Sequence, residues 1–291
     1  AEHFADKMSE LSGGKIQIDI LSDAQLGSEA SMIEGMKLGT IDCAIISNFS
    51  YSTSIPEFAA FDLPYIFTSE EQAHAVMDDE EITGDLIQQL YDEYDVKILA
   101  YGEGGFRSVI NTKKPIVSPA DFTSMKIRVP GNETYLATFT AFGSNPVSMA
   151  SSECYTGLQQ GTIDAQENPL SVITSSRFNE VQDYLSMTEH VYSAAPLMVS
   201  KAAYDALPDD LKAIVDEAGV EACQWEREYL AEVEVQWLDE LETAGTQINY
   251  PDKAPFVDAM SSVYNQFVGD GDDMVSPELL EQVREIISQV E

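Results

Sequence analysis

The 291-residue sequence predicts an α/β protein of two lobes, and three features predict it. Strand-like runs alternate with helix-like runs over the first two thirds, one helix-to-strand junction is echoed later, and one helical pattern is too long for a single lobe. A chain of this length can give each lobe its own core of ordinary domain size.

Taken in order, a helix covers residues 1–11 and is closed by Gly13-Gly14. Strand-like runs follow at 16–21, 41–47, 96–101, 126–130 and 163–166, and their alternation with helices implies largely parallel sheets. Between the first two, Ser28 reads as an N-cap, residues 29–38 as an amphipathic helix and Gly39 as its C′ stop. Ser151-Ser152 opens a second helix of this kind, which runs through Gln160 and is closed by Gly161. There Gly161-Thr162-Ile163-Asp164 repeats Gly39-Thr40-Ile41-Asp42. Two lobes of similar construction would produce this echo, and so would a common helix-to-strand turn.

From Pro208 to Gly245 the pattern is helical throughout, with Trp225, Tyr229, Val233 and Trp237 at spacings of four. Some 35 residues at 1.5 Å each span about 50 Å, enough to cross a hinge between lobes. Two more helices, 252–268 and 276–290, flank the acidic turn Gly269-Asp270-Gly271-Asp272-Asp273, whose spacing is not that of a calcium loop. The expected division is lobe I from 1–105 plus 194–233, and lobe II from 106–193 plus 234–291.

Fifty-one acidic residues face fifteen basic ones, a formal charge of −36, which excludes nucleic acid and anionic lipid as partners. No run approaches the roughly 20 apolar residues of a membrane span, so a soluble chain, mature or trimmed, without direct membrane insertion is expected. Cys43, Cys154 and Cys223 are far apart and lie in apolar or helical patterns, which reads as buried thiols.

Catalytic motifs are missing: there is no HExxH, GxSxG or phosphate-binding glycine loop, and Gly102-Glu103-Gly104-Gly105 reads as a glycine-rich strand end. His3, His74 and His190 lie in unrelated segments without a second ligand nearby, so neither a metal nor a cofactor is expected. An enzyme would have to use acids such as Glu29, Glu153 or Glu167 as general acid and base.

Of five arginines, Arg177, Arg227 and Arg284 sit in acid-rich helical surroundings that surface ion pairing explains. Arg128 ends a strand at a Pro-Gly turn, and open α/β sheets bind ligands at strand carboxyl ends. Its guanidinium there fits either a ligand carboxylate or a structural acid. Arg107, after Gly104-Gly105-Phe106, has the same two readings. In Gln166-Glu167-Asn168-Pro169 the Asn168 amide fits a ligand contact or the N-cap of a following helix.

The runs Gly104-Gly105-Phe106-Arg107, Lys126-Ile127-Arg128-Val129 and the segment from Leu158 to Ser171 containing Gln-Glu-Asn-Pro resemble the DctP-type binding proteins of TRAP transporters. Gln25-Leu26-Gly27-Ser28-Glu29, Asp62-Leu63-Pro64-Tyr65 and Ala141-Phe142-Gly143 extend the likeness over essentially the whole chain. The resemblance implies a two-lobed clamp like the type II periplasmic binding proteins, with a long hinge-spanning helix. It implies a periplasmic, non-enzymatic protein that hands a small carboxylate to TRAP membrane permease subunits, and a monomer is expected.

It further implies that Arg128 holds the ligand carboxylate, with Arg107 auxiliary, Asn168 a polar contact and Glu29 a reader of hydroxyls. The loop with Asn48, Phe49 and Tyr51 matches a ligand-facing loop of the family. Asn132, Ser151 and Glu167 complete the expected site. The segment from Met149 to Glu153 lacks the aromatic residue that many relatives place there, which weakens any stacking on the ligand. The polar strand end and serine-rich loops favour a sugar acid, a uronate such as glucuronate or galacturonate. A C4-dicarboxylate, a keto acid, sialic acid or a sensor ectodomain of the same fold are the alternatives.

Overall fold

The computed structural model describes residues 1–22, 25–271 and 274–290. Asp272 and Asp273 of the acidic turn lie outside these described residues. In chain order the helices and strands are α1 (Glu2–Leu11), α2 (Glu29–Lys37), β1 (Cys43–Ile45), α3 (Glu70–Met77), α4 (Glu80–Glu93), β2 (Val96–Asn111) and β3 (Lys126–Val129). There follow α5 (Glu133–Ala141), β4 (Asn145–Ser148), α6 (Ser151–Gln159), β5 (Ala165–Pro169), α7 (Leu170–Ser175) and β6 (Tyr184–Ser200). The chain closes with α8 (Lys201–Asp205), α9 (Asp209–Thr243), β7 (Gln247–Asn249), α10 (Ala254–Asp258), α11 (Ser261–Phe267) and α12 (Pro277–Ile287).

The chain forms two compact units. The first comprises Ala1–Asn48, His74–Glu103 and Ala194–Ala231, and the second Phe49–Ala73, Gly104–Ser193 and Glu232–Glu291. Residues 49–73, which the sequence division counts with lobe I, cluster with the second unit. The long elements β2, β6 and the 35-residue α9 each pass from one unit into the other.

In the first unit β1 pairs antiparallel with the end of β6, Cys43 opposite Val199. Phe4 and Met8 of α1, Leu197 of β6 and Val215, Ala218 and Ala222 of α9 form its core. The second unit holds a mixed sheet: β3 lies parallel between β4 and β5, and β5 runs antiparallel to β2. Strand alternation sends Val109, Ile127, Val129 and Ala165 to one core with α5, α10 and α11, where Phe122, Phe139, Phe142 and Phe256 interlock. Ile110 enters a second core with Cys154 and Leu158 of α6.

Several expectations change. The run 16–21 is not a strand: Ile16 and Ile18 pack into the first core, but Ile20 and Leu21 are exposed and no ladder partner lies among the described residues. The sheet is not largely parallel, because β6, unforeseen in the sequence, and β2 bring antiparallel ladders. Gly102-Glu103-Gly104-Gly105 lies inside β2, not at its end. A Cβ on Gly104 would stand 2.6 Å from the Ser193 carbonyl oxygen, so close backbone approach requires glycine there. The helix expected over 252–268 breaks into α10 and α11, where Ala259 and Met260 donate to residues three back and turn Phe256, Met260 and Val263 into one core. Cys154 and Cys223 are buried free thiols, while Cys43 is half-buried.

The repeated junction has one local structure in both units. Gly39 and Gly161 each take φ +67°, and the Thr40 and Thr162 amides return to the carbonyls of Gly35 and Gly157 at 2.8 and 3.0 Å. Each threonine hydroxyl donates to the same carbonyl at 3.1 Å, a left-handed stop that glycine makes at low cost.

Candidate functional site

Strands β3, β4 and β5 run parallel in the second unit, so their carboxyl ends gather on one edge. Arg128 stands near that edge on β3, only 5% exposed, and its Nε donates to the Met149 carbonyl at 2.9 Å. Its ladder partner on β5 is Gln166, and residues paired Cα to Cα put their side chains on the same face. Ile127 and Val129 point into the phenylalanine core, which fixes Arg128 on the opposite face.

Arg107 lies on β2 beside the end of β5. Its Nε donates to Glu167 Oε2 at 2.6 Å and its Nη2 to Glu167 Oε1 at 2.9 Å, a two-pronged buried ion pair. The same Nη2 donates to the Asn168 Oδ1 at 3.0 Å, and the Asn168 Nδ2 donates to Gln166 Oε1 at 2.5 Å. The guanidinium lies 5.2 Å from the Tyr135 ring centre and 5.8 Å from that of Phe49.

His190 on β6 completes the group, with Nε2 3.1 Å from Glu167 Oε2 and Nδ1 2.9 Å from the Thr188 hydroxyl. Burial pushes the Glu167 carboxyl up, but the Arg107 charge and the bonds from His190 and Arg107 outweigh it and hold the carboxyl below the usual range. Burial likewise pushes the His190 ring down, more than Glu167 pulls it up. A neutral imidazole that donates from Nε2 to Glu167 and accepts at Nδ1 from Thr188 satisfies both contacts.

The other expected residues are placed as follows. Asn132 caps α5, its Oδ1 accepting from the Thr134 and Tyr135 amides, while its Nδ2 donates to the Phe49 carbonyl and Ser52 hydroxyl. It therefore ties down the loop that carries Phe49. Tyr51 is buried against Phe58, and Ser151 is exposed at the start of α6. In the first unit the Glu29 Oε1 accepts from the Ser47 amide and hydroxyl at 3.1 and 2.8 Å, which orders the approach to buried Asn48. Asn168 does not cap a helix: α7 begins after Pro169 with no side-chain cap.

Sequence reasoning missed His190, Tyr135 and Gln166 as members of this group. Gln166 stood in the quoted Gln-Glu-Asn-Pro run, whereas no spacing signals His190, which fold topology alone brings to Glu167. A cavity of about 230 Å³ in the second unit is lined by Phe106, Leu170 and four glutamates, 70, 71, 189 and 234, which make it a poor host for an anion. No cluster of metal-ligating side chains occurs among the described residues. Nor is any helix among them long and apolar enough to cross a membrane.

The bacterial extracellular solute-binding protein family 7, DctP, matches residues 1–270. The chain is 34% identical over 272 residues to the 2,3-diketo-L-gulonate-binding periplasmic protein of Escherichia coli (strain K12), covering 93% of this chain and 82% of that one. A TRAP periplasmic solute-binding protein from Bordetella bronchispeptica, its bound density assigned as pantoate, is 36% identical with a TM-score of 0.91 over 98% of this chain and 93% of that one. One from Chromohalobacter salexigens with bound D-glucuronate is 30% identical with a TM-score of 0.91 over 99% and 93%. These are substrate-binding proteins of transport systems and not enzymes, which sets aside the general acid and base reading of Glu29, Glu153 and Glu167. The mixed α/β fold, the buried Arg128 near a strand's carboxyl end and a family match along nearly the whole chain make this protein a member of the DctP family, the solute-binding proteins of TRAP transporters.

Proposed function

We propose that the protein captures a sugar acid, a uronate first among them, and delivers it to TRAP membrane permease subunits outside the cytoplasm, acting as a monomer. The observation that carries this reading is Arg128, buried at the carboxyl end of a parallel strand beside Gln166 and close in the chain of polar groups to Asn168. Diketogulonate, pantoate and glucuronate, named for the three relatives, share a carboxylate whose neighbouring carbon bears oxygen. A guanidinium with adjacent amides suits that pair of groups.

One carboxylate is favoured over two. The charge of Arg107 is already matched by Glu167, so a C4-dicarboxylate would find its second counter-charge taken. The protein's formal charge of −36 repels anions at long range, and the local guanidinium has to overcome it. Glu29, Asn48 and Phe49 are assigned to ligand contact on the family pattern, Asn132, Tyr51, Ser151 and Glu167 to support of the site.

The test is a thermal-shift screen of D-glucuronate, D-galacturonate, L-galactonate, pantoate and succinate against the native chain, Arg128→Lys and Arg128→Ala. The native chain should be stabilised by a sugar acid and not by succinate. Each charge-assisted hydrogen bond contributes roughly 1.5–3 kcal/mol, so loss of the bidentate contact in Arg128→Ala should weaken binding by about 100-fold or more. Arg128→Lys keeps the charge, and should keep part of the affinity. A native chain shifted by none of these acids would overturn the reading.

A further inference from the structure

Gln166 is a buried residue whose surroundings leave one of its groups without a protein role. Its orientation follows from donors that cannot be exchanged. A guanidinium only donates, so the Asn168 atom that meets Arg107 Nη2 at 3.0 Å must be the amide oxygen. The Asn168 nitrogen then faces Gln166, and the Gln166 atom that receives it at 2.5 Å must also be oxygen. Each amide is thereby fixed by its neighbour, from Arg107 outward, and the Gln166 Nε2 is the atom left over.

That nitrogen has two hydrogens, is fully buried, and has no hydrogen-bond acceptor among the described residues. A buried donor without an acceptor is costly, and a ligand oxygen would relieve that cost. The use is indicated by register. Gln166 is the ladder partner of Arg128, so the two side chains rise from the same face of the sheet on neighbouring strands. Both are donors, and both are held: Arg128 by the Met149 carbonyl at its Nε, Gln166 by Asn168 at its Oε1. Two donors side by side call for one acceptor with two oxygens.

We infer that Gln166 is a ligand-binding residue, its Nε2 donating to the same carboxylate that Arg128 holds. The inference rests on the carboxylate-capture reading above and adds to it a neutral second donor, chosen by the Arg107–Asn168 relay. A neutral amide reads the acceptor without adding charge, so it tests the carboxylate's geometry where a second cation would only strengthen attraction. It also explains why Asn168 is spent on Gln166 and Arg107 and not on a helix cap.

The experiment is isothermal titration of the full chain with D-glucuronate, L-galactonate and pantoate at pH 5 and pH 8, for the native protein, Gln166→Met and Gln166→Glu. Gln166→Met keeps the length and removes the donor, and its affinity should fall about tenfold at both pH values. Gln166→Glu places an acceptor against the carboxylate when ionised and restores a donor when protonated. Its affinity relative to the native chain should be at least 100-fold down at pH 8 and recover by tenfold or more at pH 5. This pH response is read within one folded variant, so it does not depend on Gln166→Met folding normally. Native-like affinity in Gln166→Met, or a Gln166→Glu deficit equal at both pH values, overturns the assignment while leaving carboxylate capture intact. A native chain that binds none of the three probes overturns the capture reading and this assignment with it.

Discussion

Two buried carboxylates in this molecule each sit beside a histidine, and they differ in what stands on their other side. In the second unit Glu167 meets His190 at 3.1 Å and the Arg107 guanidinium at 2.6 Å. In the first unit Glu103 meets His74 at 3.0 Å, but its Oε1 has no hydrogen-bond partner among the described residues, and its backbone amide donates at 2.7 Å to a second acid, Glu226. Arg227, the nearest cation in sequence, turns to Asp78 with contacts of 2.6 and 2.9 Å. One cluster is charge-balanced, and the other crowds two acids with one histidine. The lesson is that a buried acid facing a matched cation is held ionised, whereas one buried without such a cation is pushed toward its protonated form.

Breaking the balanced cluster should have the largest effect. Glu167→Gln leaves Arg107 buried without its counter-charge, a loss of about 3–5 kcal/mol, or about 10 °C in Tm at pH 7. The folded pKa of Glu167 is depressed, so its contribution is complete above the unfolded value of about 4.3 and is lost as pH falls through the folded one. Thermal melts should therefore show a large gap between native protein and variant at pH 7 that narrows below about pH 4. A gap that stays constant into acid would mean that packing, and not the ion pair, sets the cost.

The crowded cluster should respond with the opposite sign. Burial, reinforced by the Glu103 charge, pushes the Glu226 carboxyl up to about 7, and the Glu103 amide offsets this only in part. The folded state then holds a proton that the unfolded state has released, and stability falls as pH rises from about 4.5 to 7. Glu226→Gln keeps an oxygen to accept from the Glu103 amide and removes the ionisation, so it should stabilise by about 2 kcal/mol at pH 8 and change little at pH 5. Melts across this range check it: a variant equal to the native protein at pH 8 would show that Glu226 ionises there without penalty.

The contrast also explains what the sequence could and could not reveal. Gly39 and Gly161 were legible as helix stops because the left-handed turn they make is local, and so was α9, whose period repeats over 35 residues. Arg128 was legible because a Pro-Gly turn ends its strand. The strand β6 was not, since residues buried on both faces show no alternation to read. His190 and Glu103 were not, because the partners that give them meaning lie 23 and 29 positions away along the chain and meet only through tertiary folding. Asn168 offered two readings, and only the atoms of Arg107 and Gln166 distinguish them.

The exposed ion pair beside the crowded cluster should matter least for stability. The Arg227–Asp78 pair has ideal forked geometry, yet the Asp78 side chain is 55% exposed, and such pairs contribute about 0–1 kcal/mol. Asp78→Asn should accordingly lower stability by less than about 1 kcal/mol in urea melts, and the loss should shrink further at 0.5 M salt. Its informative consequence is on Glu226, whose pKa the Arg227 charge already lowers. With Asp78 neutral, that cation is less compensated, so the Glu226 midpoint, followed by the carboxyl carbon resonance, should move down from about 7. An unmoved midpoint would show that Arg227 is committed to the surface whatever Asp78 does, and that the crowded cluster is governed by burial and Glu103 alone.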